Sequence, residues 1–298
     1  MRYSFNIYKD IVLKNLQNKL GAENVNLVTV PKNNGVKLQG VQLNMGINMA
    51  SPVMYFNTAE ECYDDLDVMR FVEEAEKLFH SAATFSSEAV MVLRDWEIAK
   101  KGLRAKMINY VANKEYLKDK PFVRYLDLAV MFQISTTGIV CGCEDGVITV
   151  NNSMMKCWGI DKETLFTEAM KNLEQSDYRI CSMSNMMECM VFDNGGSLSD
   201  ETFCVATTYE GNGGASVILS TNILNKASER MNCKKFYIIP SSVHEILLID
   251  CMKAKLEHLQ VVVKDVNTNI LDEQDVLADT VYIFDGGIVK IASERTGK

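Results

Sequence analysis

Turn signatures cut this chain into short apolar runs, which restricts it to antiparallel hairpins and helices of moderate length. Lys32-Asn33-Asn34-Gly35 lies between strand-like runs at 25–30 and 36–43. Gly211-Asn212-Gly213-Gly214 lies between a run starting at Phe203 and another at 216–219, and Asp285-Gly286-Gly287 marks a last hairpin. Asn and Gly reach positive φ at little steric cost, so each cluster reads as a chain reversal.

Helical spacing fills the intervals. Ile7, Ile11, Val12, Leu16 and Leu20 repeat at helix period before Gly21. A third strand-like run at 53–56 precedes an acidic helix from about Thr58, with Val68, Phe71, Val72, Ala75 and Phe79 on one face. A cluster of small and hydroxyl residues at 82–87 then separates residues 1–86 from 87–298. Beyond it, 102–111 reads as a strand and 125–134 as one buried strand. The turn Asp145-Gly146 precedes a further short strand. Asn152 is expected to cap a short helix ended by Gly159. Asp161 opens the next, with Leu165, Phe166, Ala169, Met170 and Leu173 on one face. Residues 176–200 read as an irregular insertion. Thr221 is expected to cap a helix to about Met231, ahead of strands at 236–239 and 246–249 and a helix at 253–266. The expected class is α+β: an N-terminal helix–β-meander–helix unit, then a larger mixed α+β unit with antiparallel hairpins. The two parts stand as separate domains or as one packed body.

Composition removes several classes. Apolar residues make up 47% and charged residues 23%, ordinary for a globular chain and against disorder. The net charge of −8 and the scattered Lys and Arg leave no basic footprint of the kind phosphate neutralisation needs, so nucleic acid is not expected as partner. The densest basic stretch, Lys100, Lys101, Arg104 and Lys106, reads as one solvated face. No run approaches the roughly 18 apolar residues of a membrane span. Nine cysteines without an export signal are expected to be free thiols in a reducing compartment, the cytoplasm.

Four stretches carry a family likeness. They are VPKNNGVKLQGV at 30–41, LDLAVMFQI at 126–134 with ITVNNSMMKCWGIDKETLFTEAMKN at 148–172, GASVILSTNILNKASERM at 214–231, and FYIIPSSVHEILLI at 236–249. In this order they resemble a bacterial domain family of unknown function numbered 5688 and, more distantly, the YtpQ-like proteins. The resemblance implies an intracellular α+β protein and brings no activity with it.

The most distinctive segment is Pro240-Ser241-Ser242-Val243-His244-Glu245. Ser241 or Ser242 as nucleophile, His244 as base and Glu245 as orienting acid would make a hydrolase. In an extended segment, however, Glu245 points away from the face shared by Ser242 and His244, and no Gly-x-Ser-x-Gly elbow is present. The alternative is a helical turn in which Ser242 and Glu245 form a capping box. Cys141 and Cys143 supply half of a zinc site at most, since the other cysteines stand singly and no histidine is at ligand spacing. The Gly211–Gly214 cluster lacks the Lys-Ser/Thr of a phosphate loop. Adjacent carboxylates such as Glu60-Glu61, Asp64-Asp65 and Glu73-Glu74 diverge by about 100° on a helix and do not converge on one ion. Trp158 reads as a core anchor. Met183, Met186, Met187 and Met190 form either core or an adaptable contact surface.

No cofactor fingerprint appears, and catalytic groups do not converge. The expectation is a non-catalytic, soluble protein-binding or adaptor protein with a protein partner. The alternative is the Ser–His hydrolase.

Overall fold

The computed structural model describes residues 2–46, 51–57, 62–83, 93–137, 139, 146–182, 203–209, 211–240 and 242–293. They fall into two compact units. One comprises residues 1–32, 36–99 and 136–146, the other 33–35, 100–135 and 147–298. The fold class is α+β, and among the described residues every strand pairing is antiparallel. Among the described residues no helix is long and apolar enough to cross a membrane.

In the first unit, β1 (Arg2–Tyr3) leads into α1 (Phe5–Leu20), which ends at Gly21 with φ 93°. Strands β2 (Val25–Pro31), β3 (Lys37–Leu43) and β4 (Val53–Tyr55) form a three-stranded meander. Gly40 is obligatory there, because a Cβ would overlap the Met54 carbonyl across the β3–β4 pair. Strand β5 (Tyr63–Asp64) pairs with β1, and α2 (Asp65–Ala83) follows. The expected helix start near Thr58 falls on residues outside those described. The helix begins at Asp65 because Asp64 accepts from the N–H of Leu66 and Asp67, while Asp67 Oδ2 accepts from the N–H of Asp64. This reciprocal pair is a capping box built from two aspartates. Tyr8, Val12 and Leu16 of α1 and Val68, Phe71, Val72 and Ala75 of α2 close the core. Tyr8 stacks on Tyr63 at 4.2 Å and Phe56 on Phe71 at 4.8 Å. A short helix, α3 (Trp96–Ala99), also belongs to this unit.

The described residues of the second unit form two sheets. In the smaller, β6 (Leu103–Asn109) and β7 (Phe122–Tyr125) flank β8 (Leu128–Ser135), and β9 (Val147–Thr149) extends the pairing of β8. Most of the apolar run at 125–134 is the buried strand β8, which starts at Leu128, while Tyr125 ends β7. A tight turn at Leu126 and Asp127, with Leu126 at φ 54°, separates the two strands. Helix α4 (Asn152–Trp158) is capped by Asn151, not Asn152, and stopped by Gly159 in the left-handed region. Helix α5 (Lys162–Gln175) is capped by Asp161 as expected, with Leu165, Ala169 and Leu173 buried. Hydrogen bonds from Thr164 hold the Asp161 carboxyl below the usual range.

The larger sheet has the order β10 (Tyr178–Ser182), β11 (Phe203–Thr208), β13 (Ile246–Asp250), β12 (Lys235–Ile239), β14 (Tyr282–Asp285) and β15 (Ile288–Ile291). The first part of the expected irregular insertion is thus an edge strand. The run at 216–219, expected as a strand, is a 3-10 segment over Gly214–Leu219. Helix α6 (Thr221–Arg230) is capped by the Ser220 hydroxyl, which accepts from the Ile223 N–H, so the expected Thr221 cap is displaced by one residue. Helix α7 (Leu256–Asn269) completes the unit.

Register explains why β12, β13 and β14 are apolar without alternation. Phe236 lies opposite Phe284 and Ile238 opposite Tyr282, on one face. Tyr237, Ile239, Ile249, Val281 and Ile283 cluster on the other with Leu256, Leu259 and Val263 of α7. Both faces are covered, so both sets of side chains are apolar.

Buried tyrosines tie this architecture to pH. Burial pushes Tyr8 and Tyr125 up to about 12. Burial, with the hydrogen bond to Asp127, pushes Tyr282 further in the same direction. Unfolded tyrosine ionises near about 10, so this stabilisation is complete below that pH and is lost as pH climbs toward the folded values. Urea midpoints of the second unit should therefore fall steeply above about pH 10, and Tyr282→Phe should flatten that fall. At neutral pH the same variant should lose about 1–3 kcal/mol, because Asp127 loses a hydroxyl donor. Phe236→Ala should destabilise by about 3–5 kcal/mol in the same assay.

Candidate functional site

Antiparallel pairing sets Ala206 opposite Ile246, Ile239 opposite Leu247 and Ile238 opposite Tyr282. The end of β11, the connection from β12 to β13 and the entry to β14 therefore share one end of the larger sheet. Segments 207–214, 240–245 and 270–281 meet there.

His244 sits at the junction. The Gly213 N–H donates to its Nδ1 at 3.4 Å, and its Nε2 faces Asp275 Oδ1 at 3.3 Å. With Nδ1 accepting, the ring proton belongs on Nε2 and donates to Asp275. The His244 carbonyl accepts from Thr207 Oγ1 at 2.7 Å, and the Val243 N–H donates to the Asp275 carbonyl at 2.9 Å. Gly214 passes so close that a Cβ would overlap Thr207 Oγ1 and the His244 carbonyl. Ser242 is 4% exposed. Its hydroxyl donates to Glu245 Oε1 at 2.9 Å and accepts from the His244 N–H at 3.0 Å. The segment thus uses a side chain–side chain bond and a hydroxyl-closed turn in place of the reciprocal backbone bonds of a capping box.

This places the sequence candidates plainly. Ser242, His244 and Glu245 come together, and Asp275, which sequence reasoning did not single out, joins them. The Ser242 hydroxyl engages Glu245, while the imidazole nitrogens engage Gly213 and Asp275. Ser241, the pair Cys141 and Cys143, and Met183, Met186, Met187 and Met190 lie outside the described residues. Among the described residues no group of three or more His, Cys, Asp or Glu could hold a metal ion. The Gly211–Gly214 turn is no phosphate cradle. The N–H groups of Gly213, Gly214 and Ala215 go to His244 Nδ1, the Gly211 carbonyl and the Val243 carbonyl. Asp65 accepts the Tyr3 hydroxyl at 2.6 Å, which holds the carboxyl below its usual range and the phenol above its own.

Segment 270–281 has a second role. It is irregular, yet six successive carbonyls are each met by a donor. Asn34 Nδ2 donates to Glu273 and Val276, Asn33 Nδ2 to Gln274, and the Val243 N–H to Asp275. Asn109 Nδ2 donates to Leu277 at 3.3 Å and Asn267 Nδ2 to Ala278 at 3.0 Å. Asn34 adopts φ 58°, a conformation Asn tolerates. It exchanges two bonds with the fully buried Asn113, its N–H donating to Asn113 Oδ1 and its Oδ1 accepting from Asn113 Nδ2. Asn33 Oδ1 is buried without a hydrogen-bond partner among the described residues.

Beside this clamp lies a cleft of ≈ 720 Å³, within the roughly 300–1,000 Å³ typical of ligand sites. Asn34, Asn109, Val111, Asn267, Glu273 and Asp279 are among its lining residues. Its residues come from distant segments with no motif of their own. The paired asparagines of the first turn were the signal available in the sequence.

The protein is defined at this point as an α+β chain with a polar junction at one sheet end and an asparagine-walled cleft. A model for a family of unknown function, DUF5688, matches residues 5–286, and the chain belongs to that family. Neither the curated proteins nor the solved structures contain a significant match.

Ser242→Ala should lower stability by about 1–3 kcal/mol in chemical denaturation, because the His244 N–H and the Glu245 carboxylate both lose a nearly buried partner. Gly214→Ala should cost about as much or more, since the clash is with backbone and a packed hydroxyl. An unchanged denaturation midpoint in both would remove the structural role assigned to this junction.

Proposed function

We propose that this chain is a non-catalytic protein-binding protein whose cleft in the second unit holds a segment of its partner. The observation that carries this reading is the make-up of the cleft. Its walls are fixed by hydrogen bonds, and no Ser, Cys or His lines it. The one serine–histidine grouping among the described residues is tied into the fold at Ser242, His244 and Asp275 instead. The net charge of −8 and the nine cysteines support a soluble protein of a reducing compartment, the bacterial cytoplasm.

One observation favours the alternative, a hydrolase using Ser241 or Ser242 with His244. His244 has an Asp275 carboxylate on one ring nitrogen, an orienting acid, although it is on Nε2 and a triad places it on Nδ1. Against it, the Ser242 hydroxyl is bonded to Glu245.

Two assays on the purified protein separate the readings. Thr268 is an exposed lining residue on α7, so Thr268→Trp should fill the cleft without unfolding the chain. Peptides from a random array should show saturable binding that this variant abolishes while its melting temperature stays unchanged. A fluorophosphonate probe should leave the serines unlabelled. Labelling of Ser241 or Ser242 that disappears in His244→Ala would move the assignment to the hydrolase.

A further inference from the structure

Most side-chain donors of the cleft are engaged within the protein. Asn34 Nδ2 serves two carbonyls, and Asn267 Nδ2 serves the Ala278 carbonyl and Asp279 Oδ1. The hydroxyls of Thr268 and Thr280 donate to the Lys264 carbonyl and to Asp127 Oδ2. Asn109 Nδ2 donates to Leu277. Asn267 Oδ1, the second oxygen of Asp279 and the Glu273 carboxylate are side-chain acceptors that no side-chain donor of the cleft meets. Glu273 and Asp279 are the charged lining residues, and no Lys or Arg joins them. Val111, 67% exposed, adds an apolar contact at the rim.

A recess whose charged lining groups are both carboxylates is complemented by a cationic ligand rich in donors. Guanidinium and ammonium groups donate several N–H bonds and accept none, and they carry the complementary charge. We infer that the cleft recognises a cationic peptide segment, an arginine- or lysine-bearing stretch of a partner protein, with its aliphatic stem against Val111. This inference rests on the binding role proposed for the cleft and names the chemistry of its occupant.

The test uses the full chain and a dye-labelled Gly-Arg-Gly-Arg-Gly peptide, read by fluorescence anisotropy at about 150 mM salt so that diffuse attraction to an acidic protein is screened. Saturable binding is expected. Glu273→Gln combined with Asp279→Asn should weaken it by about tenfold or more, as expected for loss of close charge pairs. Asp272→Asn, a charge removed beside the cleft and not in it, should leave it within about twofold, since exposed charges contribute little. Equal binding of the citrulline analogue, or equal weakening by Asp272→Asn, overturns the inference. If instead only a citrulline or Gly-Glu-Gly-Glu-Gly peptide binds in a manner lost on Thr268→Trp, the cleft is a site and its cation preference is wrong. If no peptide shows binding sensitive to Thr268→Trp, the binding role of the cleft falls as well.

Discussion

The irregular segment from Glu273 to Ala278 has no secondary structure to satisfy its carbonyls, and asparagine side chains do so instead. Asn33, Asn34, Asn109 and Asn267 supply five of the six donors, and the Val243 N–H supplies the sixth. A backbone polar group withdrawn from water without a partner is costly, so such a segment holds one conformation only when each group is met. The same device recurs where Asn172 donates to the carbonyls of Lys100 and Leu103, fixing α5 against the start of β6. The primary amide suits this use because it offers two donors on a short stem, enough for Asn34 to bridge two carbonyls three residues apart.

Both candidate sites follow from that clamp. Holding 273–278 in place puts Asp275 against His244, which in turn carries the turn at Gly213 and Gly214. It also builds a wall of the cleft. The junction and the cleft differ in what they leave available. At the junction donors and acceptors meet one another, so hydroxyl, imidazole and carboxylate stabilise the chain reversal. In the cleft most side-chain donors are engaged within the chain, and the charged lining groups are the carboxylates of Glu273 and Asp279.

The larger sheet shows how a second constraint shapes the sequence. Phe236, Ile238, Tyr282 and Phe284 share one face, with Phe236 and Phe284 stacked at 5.0 Å, while Tyr237, Ile239 and Ile283 share the other. A strand covered on both faces loses the alternation that would otherwise announce it. Tyr282 nonetheless keeps a polar end, donating to Asp127 at 2.7 Å beside Thr280 at 2.6 Å. That aspartate follows the left-handed Leu126, so the tight turn between β7 and β8 is also an anchor for the entry to β14.

Local chemistry by itself determined much of the architecture. Turn residues with positive φ marked two of the hairpins, at Asn34 and Gly286, and spacing at helix period marked α1, α2 and α5. Those signals arise between residues a few positions apart. Only the tertiary structure decided the rest. The turn at Leu126 sits inside an apolar run, the 3-10 path of Gly214–Leu219 is tied to the backbone around His244, and Asp275 approaches His244 from 31 residues away. The lining of the cleft belongs to the same group. Which amide or carboxylate oxygen remains free depends on partners up to 242 residues distant in the chain, as for Asn34 and Val276. No local pattern encodes that choice, because it is made by the sheet order that brings those segments together.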